Sequence, residues 1–172
     1  MGMRPLGARA LKSAIDTLRP WLLESSVLDL FSGQGRFGLS ALEEVARSVT
    51  FVEKDARMVD LLRKNCLRYP ERATVIHQDA FQFLGTQNHK FDIIFADPPF
   101  ALWNEKFSKT LFQNVAQVVK EGSIFLVKHP RRVVACTSFQ GFTFWKSSDF
   151  GESQLIYFTY GKTENHVVTK TP

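Results

Sequence analysis

The chain has 172 residues, of which 44% are hydrophobic and 23% charged, and its formal net charge is +5. This composition is typical of one globular domain, here taken as residues 1–172, and excludes a largely disordered chain. No apolar run approaches the roughly 20 residues that span a bilayer, and no secretory signal is evident, so a cytoplasmic protein is expected. The two cysteines form no metal-binding or disulfide pattern, so no metal site is predicted. The positive charge favours a polyanionic partner.

The N-terminal region, residues 1–20, predicts an amphipathic helix that Pro20 ends. Its apolar positions at helical spacing are Leu11, Ala14, Ile15 and Leu18. Its charges are Asp16 against four cations, namely Arg4, Arg9, Lys12 and Arg19. Two interpretations stay open for this basic face: it is solvated while the helix packs on the sheet, or it also contacts phosphates.

Strands and helices then alternate, which predicts a doubly wound α/β sheet. Strands are expected at 26–31, 48–52, 73–77, 91–96 and 123–127. Helices are expected from the first glycine-rich turn through Val45, over 55–69 and over 104–120, with Gly122 just past the last. The buried face of the helix over 55–69 is predicted to hold Met58, Leu61, Leu62 and Cys66. A C-terminal antiparallel hairpin within 141–160, turning at 147–151, completes a mostly parallel sheet of seven strands.

Carboxylates follow four successive strands of this predicted sheet. Asp29 ends the first, Glu53 the second, Asp79 follows the third and Asp97 the fourth. Right-handed crossovers bring these strand ends to one edge, where open α/β sheets bind ligands. One cofactor could lie across all four.

The turn after the first strand spells GxGxxG from Gly33 to Gly38, and Glu53 follows twenty residues after Gly33. This spacing matches a dinucleotide site, and a dinucleotide-binding oxidoreductase stays open as an alternative. However, Asp29 would face a pyrophosphate unfavourably. A ligand that carries an ammonium and a sulfonium, such as S-adenosylmethionine, suits this carboxylate better.

In that interpretation Glu53 accepts hydrogen bonds from the ribose and Asp79 from the adenine amine, while the amide of Ala80 or Phe81 meets the ring. Alternatively, Asp29 or Asp79 caps the following helix. The predicted cofactor-binding residues are Asp29, Phe31, Ser32, Gly33, Gly35, Glu53, Lys54, Asp79, Ala80 and Phe81.

The turn Asp97-Pro98-Pro99-Phe100 predicts the catalytic residues of a methyl transfer to a nucleobase amine. The lone pair of such an amine is delocalised into the ring. The Asp97 carboxylate and the rigid Pro98 carbonyl can accept its N–H bonds and direct the lone pair at a methyl group. Phe100 can stack on a base that has left its helix. The alternative is that Pro98 and Pro99 only end a strand and Phe100 is core.

These motifs resemble class I methyltransferases that act on base amines, and more closely the bacterial RsmD-like family. The matching residues are Leu28–Gly35, Phe51–Asp55, Asp79-Ala80 and Asp97–Phe100, with Arg4-Pro5, Arg9, Phe150–Glu152 and Leu155 beyond them. The resemblance implies a Rossmann-like fold and a monomer that methylates guanine N2 in 16S ribosomal RNA, free or in an assembling 30S subunit. Adenine-N6 methylation of DNA or RNA, and a non-catalytic RNA-binding protein, remain alternatives.

The chain departs from the family pattern at two places. Family members usually carry a basic hairpin before the Arg4-Pro5 pair. Lys128 also stands where the family leads us to expect an acidic residue. With Arg131 and Arg132, this lysine is predicted either to contact RNA phosphates or to be solvated. His129 has no evident partner and is not assigned as a base.

Overall fold

The computed structural model describes residues 6–133 and 138–161. The helices in these ranges are α1 (Ala8–Leu22), α2 (Arg36–Glu43), α3 (Ala56–Cys66), α4 (Ala80–Thr86) and α5 (Glu105–Val115). The strands are β1 (Ser26–Leu30), β2 (Ser48–Glu53), β3 (Ala73–His77), β4 (Phe91–Ala96), β5 (Val119–Pro130), β6 (Ser138–Phe139), β7 (Phe142–Phe150) and β8 (Ser153–Tyr160). A single 3-10 turn covers Phe100–Leu102.

All eight strands form one sheet in the order β3-β2-β1-β4-β5-β8-β7-β6. The first five strands are parallel to one another, and β8, β7 and β6 continue the sheet antiparallel. The predicted doubly wound, Rossmann-like α/β fold is confirmed. The seven predicted strands are present, and the two-residue strand β6 adds an eighth beside β7.

The core lies in two layers, one on each face of the sheet, because successive side chains of a strand point to opposite faces. One layer packs α1, α2 and α3 through residues such as Leu18, Phe37 and Leu62. The other packs α4 and α5 through residues such as Phe83 and Phe112. All five residues of β1 are buried, as a central parallel strand requires.

Two helix boundaries differ from the prediction. Helix α1 continues through Pro20 to Leu22, because Leu18 and Leu22 are both fully buried and their packing holds the last turn. Helix α2 ends at Glu43, and Val45 lies beyond it, exposed, in a left-handed conformation with φ 63°. The predictions that Pro20 ends α1 and that α2 reaches Val45 were therefore wrong.

Helix α3 is shorter than predicted and is turned differently on the sheet. It ends at Cys66 and buries Val59, Leu62 and Cys66, whereas Leu61 is exposed. The prediction that Leu61 belongs to the core was wrong, because the buried stripe runs from Val59 to Leu62, three residues on, and then to Cys66, four residues further.

The second half of the chain has longer strands than predicted. Helix α5 ends at Val115 and β5 begins at Val119, so Gly122 lies inside a strand rather than behind a helix. Its φ of 84° accommodates the shift in register between β4 and β5. Likewise β7 runs to Phe150, and the hairpin turn is Gly151-Glu152 rather than 147–151. In the described part of the chain, no helix has the length and apolarity needed to span a membrane.

Candidate active site

The predicted site residues meet at the carboxyl ends of β1, β2 and β4. Strand β1 lies between β2 and β4. The connections that follow β1 and β4 run to opposite sides of the sheet, and this divergence opens a crevice at the carboxyl edge. The amide of Asp97 donates to the carbonyl of Leu30 at 3.3 Å, which ties the end of β4 to the end of β1. Residues far apart in sequence thus share one small region.

The turn between β1 and α2 has an unusual backbone that holds it close to β2. Phe31, Gly33 and Gly35 have φ values of 57°, 54° and 73°, and such a conformation is strained for phenylalanine. The Ser32 hydroxyl donates to the Asp29 carbonyl at 2.6 Å and accepts from the Val52 amide at 2.9 Å. The turn is therefore fixed in place before any ligand binds.

Asp29 is a buried carboxylate, with 1% of its surface exposed. Its Oδ2 accepts from the Gly38 amide at 3.0 Å, in the first turn of α2, so the capping alternative is present in the structure. Burial raises the pKa of Asp29 well above its usual value; the hydrogen bond from Gly38 opposes this, and the charges of Asp97 and Glu53 add to it. Ionisation of Asp29 is therefore costly in the free protein, and a cationic group beside it would favour the charged form.

Glu53 is buried at the end of β2 and organises the backbone around it. Its Oε2 accepts from the Gly33 amide at 2.7 Å. Its Oε1 accepts from the amides of Lys54 and Asp55, both at 2.8 Å. A carboxylate has about four acceptor positions, so capacity for one further donor remains. The side chain of Lys54 itself is exposed.

Asp79 caps α4, as its alternative interpretation predicted. Its Oδ1 accepts from the amides of Phe81 at 2.9 Å and Gln82 at 3.4 Å. Because Phe81 already donates to Asp79, its amide is not open to an adenine ring, and that part of the prediction was wrong. Ala80 is buried in the first turn of α4. The rings of Phe31 and Phe81 meet edge to face with centroids 6.3 Å apart, so these two predicted residues do lie together.

Asp97 lies just past β4 and forms an ion pair with Lys128 of β5. The Lys128 Nζ lies 3.0 Å from Oδ1 and 3.1 Å from Oδ2 of Asp97. Their side chains are only 6% and 13% exposed, respectively. Burial raises the pKa of the Asp97 carboxyl, and the charge and hydrogen bond of Lys128 lower it in part. The prediction that Lys128 contacts phosphates or is solvated was wrong, because its ammonium is buried against this carboxylate.

The turn after Asp97 is rigid and presents an aromatic ring. Pro98 is buried, Pro99 is half-buried, and Phe100 begins the 3-10 turn with 38% of its surface exposed. The alternative that Phe100 belongs to the core is therefore wrong. The Lys128 Nζ lies 5.3 Å from the centroid of the Phe100 ring, within reach of a cation–π interaction.

The remaining predicted RNA contacts differ in exposure and partners. Arg9 is exposed in the first turn of α1. Arg131 and Arg132 are exposed and face Asp149 at 3.3 Å and Glu152 at 3.7 Å, on the C-terminal hairpin. Arg4 lies outside the described residues. Contact of Arg9, Arg131 and Arg132 with RNA stays a prediction.

Two contacts next to the site were not predicted from the sequence. His129 lies on the face of β5 opposite Lys128, its ring centroid 4.3 Å from that of Trp103. Burial lowers the pKa of His129, which favours the neutral imidazole. The contact of Lys128 with Asp97 was also missed. From Ile93 onwards β4 and β5 keep one register, with Ala96 beside Val127, so the next residues are Asp97 and Lys128, but the shift in register before Ile93 hides this pairing from the sequence.

The arrangement combines three carboxylates, at Asp29, Glu53 and Asp97, with one half-exposed aromatic ring. Such a site can hold a cationic ligand with hydroxyl groups and can present hydrogen-bond acceptors to a planar amine. Among the described residues, no group of three or more histidine, cysteine, aspartate or glutamate side chains is placed to hold a metal ion.

Known proteins share both sequence and fold with this chain. A curated relative from Haemophilus influenzae, named Ribosomal RNA small subunit methyltransferase D, is 38% identical over 104 residues, which are 58% of this chain and 54% of the relative. The chain spans about half the length of the curated relatives it matches.

Two solved structures show the same fold. The Escherichia coli protein yhhF has a TM-score of 0.81 at 24% identity, over 93% of this chain and 88% of its own. Magnesium protoporphyrin IX methyltransferase from Synechocystis, solved with bound SAM, has a TM-score of 0.70 at 13% identity, over 89% of this chain and 79% of its own. At these identities the likeness shows a shared fold alone.

A family model described as "Conserved hypothetical protein 95" matches residues 1–159. Together with the relatives named methyltransferase D, this match confirms the resemblance to RsmD-like proteins that the motifs predicted. Since the matched residues cover most of the 172 in the chain, the chain belongs to the family described as Conserved hypothetical protein 95.

Proposed function

We propose that this chain transfers a methyl group from S-adenosylmethionine to the N2 amine of a guanine in 16S ribosomal RNA. The observation that carries the proposal is the position of the buried Asp97 and the rigid turn to Phe100 beside Asp29 and Glu53, at the crevice between β1 and β4.

The residues at this crevice fit the cofactor. Asp29 is a buried carboxylate whose raised pKa reflects its burial among like charges, so a ligand with a positive charge would relieve an existing electrostatic cost. Glu53 would accept from a ribose hydroxyl with its remaining acceptor position. Phe31 and Phe81 would contact the adenine, with Asp79 close to its amine. The bound cofactor would supply an electrophilic methyl group.

The acceptor half of the site would activate the base. The Asp97 carboxylate and the Pro98 carbonyl would accept the two N–H bonds of the amine, which turns its lone pair towards the methyl carbon. As the base nitrogen takes up the methyl group, one amine proton would pass to water or to Asp97. Phe100, half-exposed at the mouth, would stack on the flipped base.

The substrate follows from the family and the charge. The relative from Haemophilus influenzae is named for the small ribosomal subunit RNA, and this chain has a net charge of +5. We propose that the chain acts as a monomer on 16S RNA, free or in an assembling 30S subunit. Mapping the modified nucleotide in cells with and without the gene would distinguish guanine N2 from adenine N6.

Replacing the catalytic carboxylate tests the mechanism directly. Asp97→Ala should lower the rate of methyl transfer to undermethylated 30S particles about 10²–10³-fold, as loss of one preorganised acceptor does elsewhere. Binding of S-adenosylmethionine, measured by calorimetry, should stay within a few-fold of the wild type. Asp60→Ala, an exposed position on α3, serves as the control. Equal loss of transfer and cofactor binding in a folded Asp97→Ala protein would contradict the role of Asp97.

A further inference from the structure

The ion pair between Asp97 and Lys128 occupies the position where the acceptor of the target amine would work. The Lys128 Nζ lies nearly equidistant from the two carboxylate oxygens, at 3.0 and 3.1 Å. The ammonium thus contacts both oxygens at once, which holds the carboxyl group beside β5 as well as balancing its charge. Since a carboxylate has about four acceptor positions, two remain for the N–H bonds of a substrate.

The backbone holds Lys128 rigidly. The strand β5 is paired on both sides, with β4 through Val127 and with β8 through Lys128 itself, which pairs with Leu155. The long side chain is almost fully buried, so its ammonium has little freedom to leave Asp97. Its position 5.3 Å from the Phe100 ring also connects the carboxylate to the residue proposed to stack on the base.

The charges around Asp97 explain why a cation is needed beside it. Asp29 on β1 lies near both Asp97 and Glu53, and the charge of each raises the pKa of Asp29. Burial by itself favours the protonated form of Asp97, which has fewer acceptor positions for an amine. The positive charge of Lys128 opposes that protonation.

We infer that Lys128 is a positioning residue of the methyl transfer: its buried ammonium holds the Asp97 carboxylate ionised and in one orientation, ready to accept from the target amine. The catalytic role of Lys128 rests on the proposed function. The contact between Lys128 and Asp97 does not depend on that function. Lys128 touches neither of the reacting atoms in this role, and its effect passes through Asp97.

The test removes the charge and follows Asp97. Lys128→Met should raise the pKa of the Asp97 carboxyl, measured by ¹³C NMR of the free protein, and shift the acidic limb of the pH–rate profile to higher pH. At neutral pH, kcat should fall at least about tenfold, because part of Asp97 is then protonated and its carboxyl group is less firmly oriented, while the dissociation constant for S-adenosylmethionine stays within about twofold. Lys128→Arg, which keeps the charge, should restore the acidic limb.

The control is Lys120→Met, which breaks an exposed ion pair with Asp92 at the other end of β5 and should change none of these quantities. If Lys128→Met does not fold, Lys128→Gln removes the charge with a polar side chain in its place and is judged by the same outcomes. An unchanged Asp97 titration overturns the inference. A wild-type protein that methylates no RNA or 30S particle contradicts the proposed function, and the NMR titration then decides the role of Lys128 alone.

Discussion

Asp29 serves both the fold and the proposed cofactor site, and the two roles make opposite demands on its charge. Its Oδ2 accepts from the Gly38 amide and so supports the start of α2, a role that a neutral oxygen can also fill. Its negative charge, buried near Asp97 and Glu53, costs stability in the free protein. Binding sites commonly keep residues that lower the stability of the free protein, because the ligand requires them.

Asp29→Asn separates these two roles. The amide oxygen of asparagine can still accept from Gly38, so the variant should be at least as stable as the wild type at pH 7 and should lose measurable binding of S-adenosylmethionine. Calorimetry measures the binding, and chemical denaturation measures the free energy of unfolding. Tight cofactor binding by the variant would contradict the role of the charge.

The contribution of Asp29 to the free energy of unfolding should decrease as the pH rises. Because the folded protein holds the Asp29 proton more tightly than the unfolded chain, whose pKa is near 3.8, stability from this group is present at low pH. It is lost as the pH rises through the raised value, by about 1.4 kcal/mol for each pH unit of that window. The stability advantage of Asp29→Asn should therefore grow from pH 4 to pH 7. An equal stability difference between Asp29→Asn and the wild type at pH 4 and at pH 7 would contradict this explanation. So would a growing advantage in the control Asp60→Asn, which changes an exposed residue.

At this scale, the sequence was sufficient to locate the site but not its internal contacts. Asp29, Glu53 and Asp97 were predictable because each one ends a strand of an alternating α/β pattern. The burial of Lys128 against Asp97 was not, because it depends on the register between β4 and β5. That register includes a shift at Gly122 that local sequence does not specify.

Among the elements, helix α2 depends on a glycine for its close packing on the sheet. A Cβ on Gly38 would overlap the ring of Phe51 and lie 2.8 Å from Cγ1 of Val49, both buried on β2. Helix α2 therefore packs on the sheet at a distance that only glycine permits at this position. Gly85 in α4 is also helical, but a Cβ there would meet nothing within 4 Å.

This contrast predicts opposite effects of the same substitution. Gly38→Ala should destabilise the protein by about 1–3 kcal/mol, because the core beneath it has no room. Gly85→Ala should stabilise it by about 0.5–1 kcal/mol, because alanine restricts the unfolded chain and favours helix. Urea denaturation of the two variants measures both values. Similar stabilities for the two would show that α2 can move away from β2 without cost.

The elements that sequence patterns misjudged share one physical cause. Pro20 has a strong local tendency to end a helix, yet the burial of Leu22 continues α1 past this proline to Leu22. The glycine at position 122 is typical of a helix end, yet it sits in a bulge of β5. In each case tertiary packing outweighed the local signal, and local signals are the part of the fold that a single sequence displays.

For the whole molecule, the basic charge becomes useful only where it faces the substrate. The start of α1 lies beside the start of α2, since Nη1 of Arg36 donates to the carbonyl of Leu6 at 2.7 Å. Arg9, exposed in that first turn, is therefore close to the carboxyl edge of the sheet. Arg47, exposed before β2, lies at the opposite, amino edge.

Arg9→Gln should weaken binding to a 16S RNA fragment and reduce the slope of log affinity against log salt by about 1, the change expected for one lost phosphate contact. Arg47→Gln removes the same charge from the opposite edge and should leave the slope unchanged. Filter binding at several salt concentrations measures both. Identical slopes for the two variants would assign the effect to net charge and not to a contact of Arg9.

The order of strands has a consequence for how the protein is made. The last described strand, β8, lies inside the sheet between β5 and β7. While a ribosome is still synthesising the hairpin, β5 has an unpaired edge next to Lys128, and the free backbone N–H and C=O groups of such an edge are prone to pairing with other chains. The edge of β5 beside Lys128 therefore stays open until β8 has emerged, and chains that stop before Ser153 should aggregate.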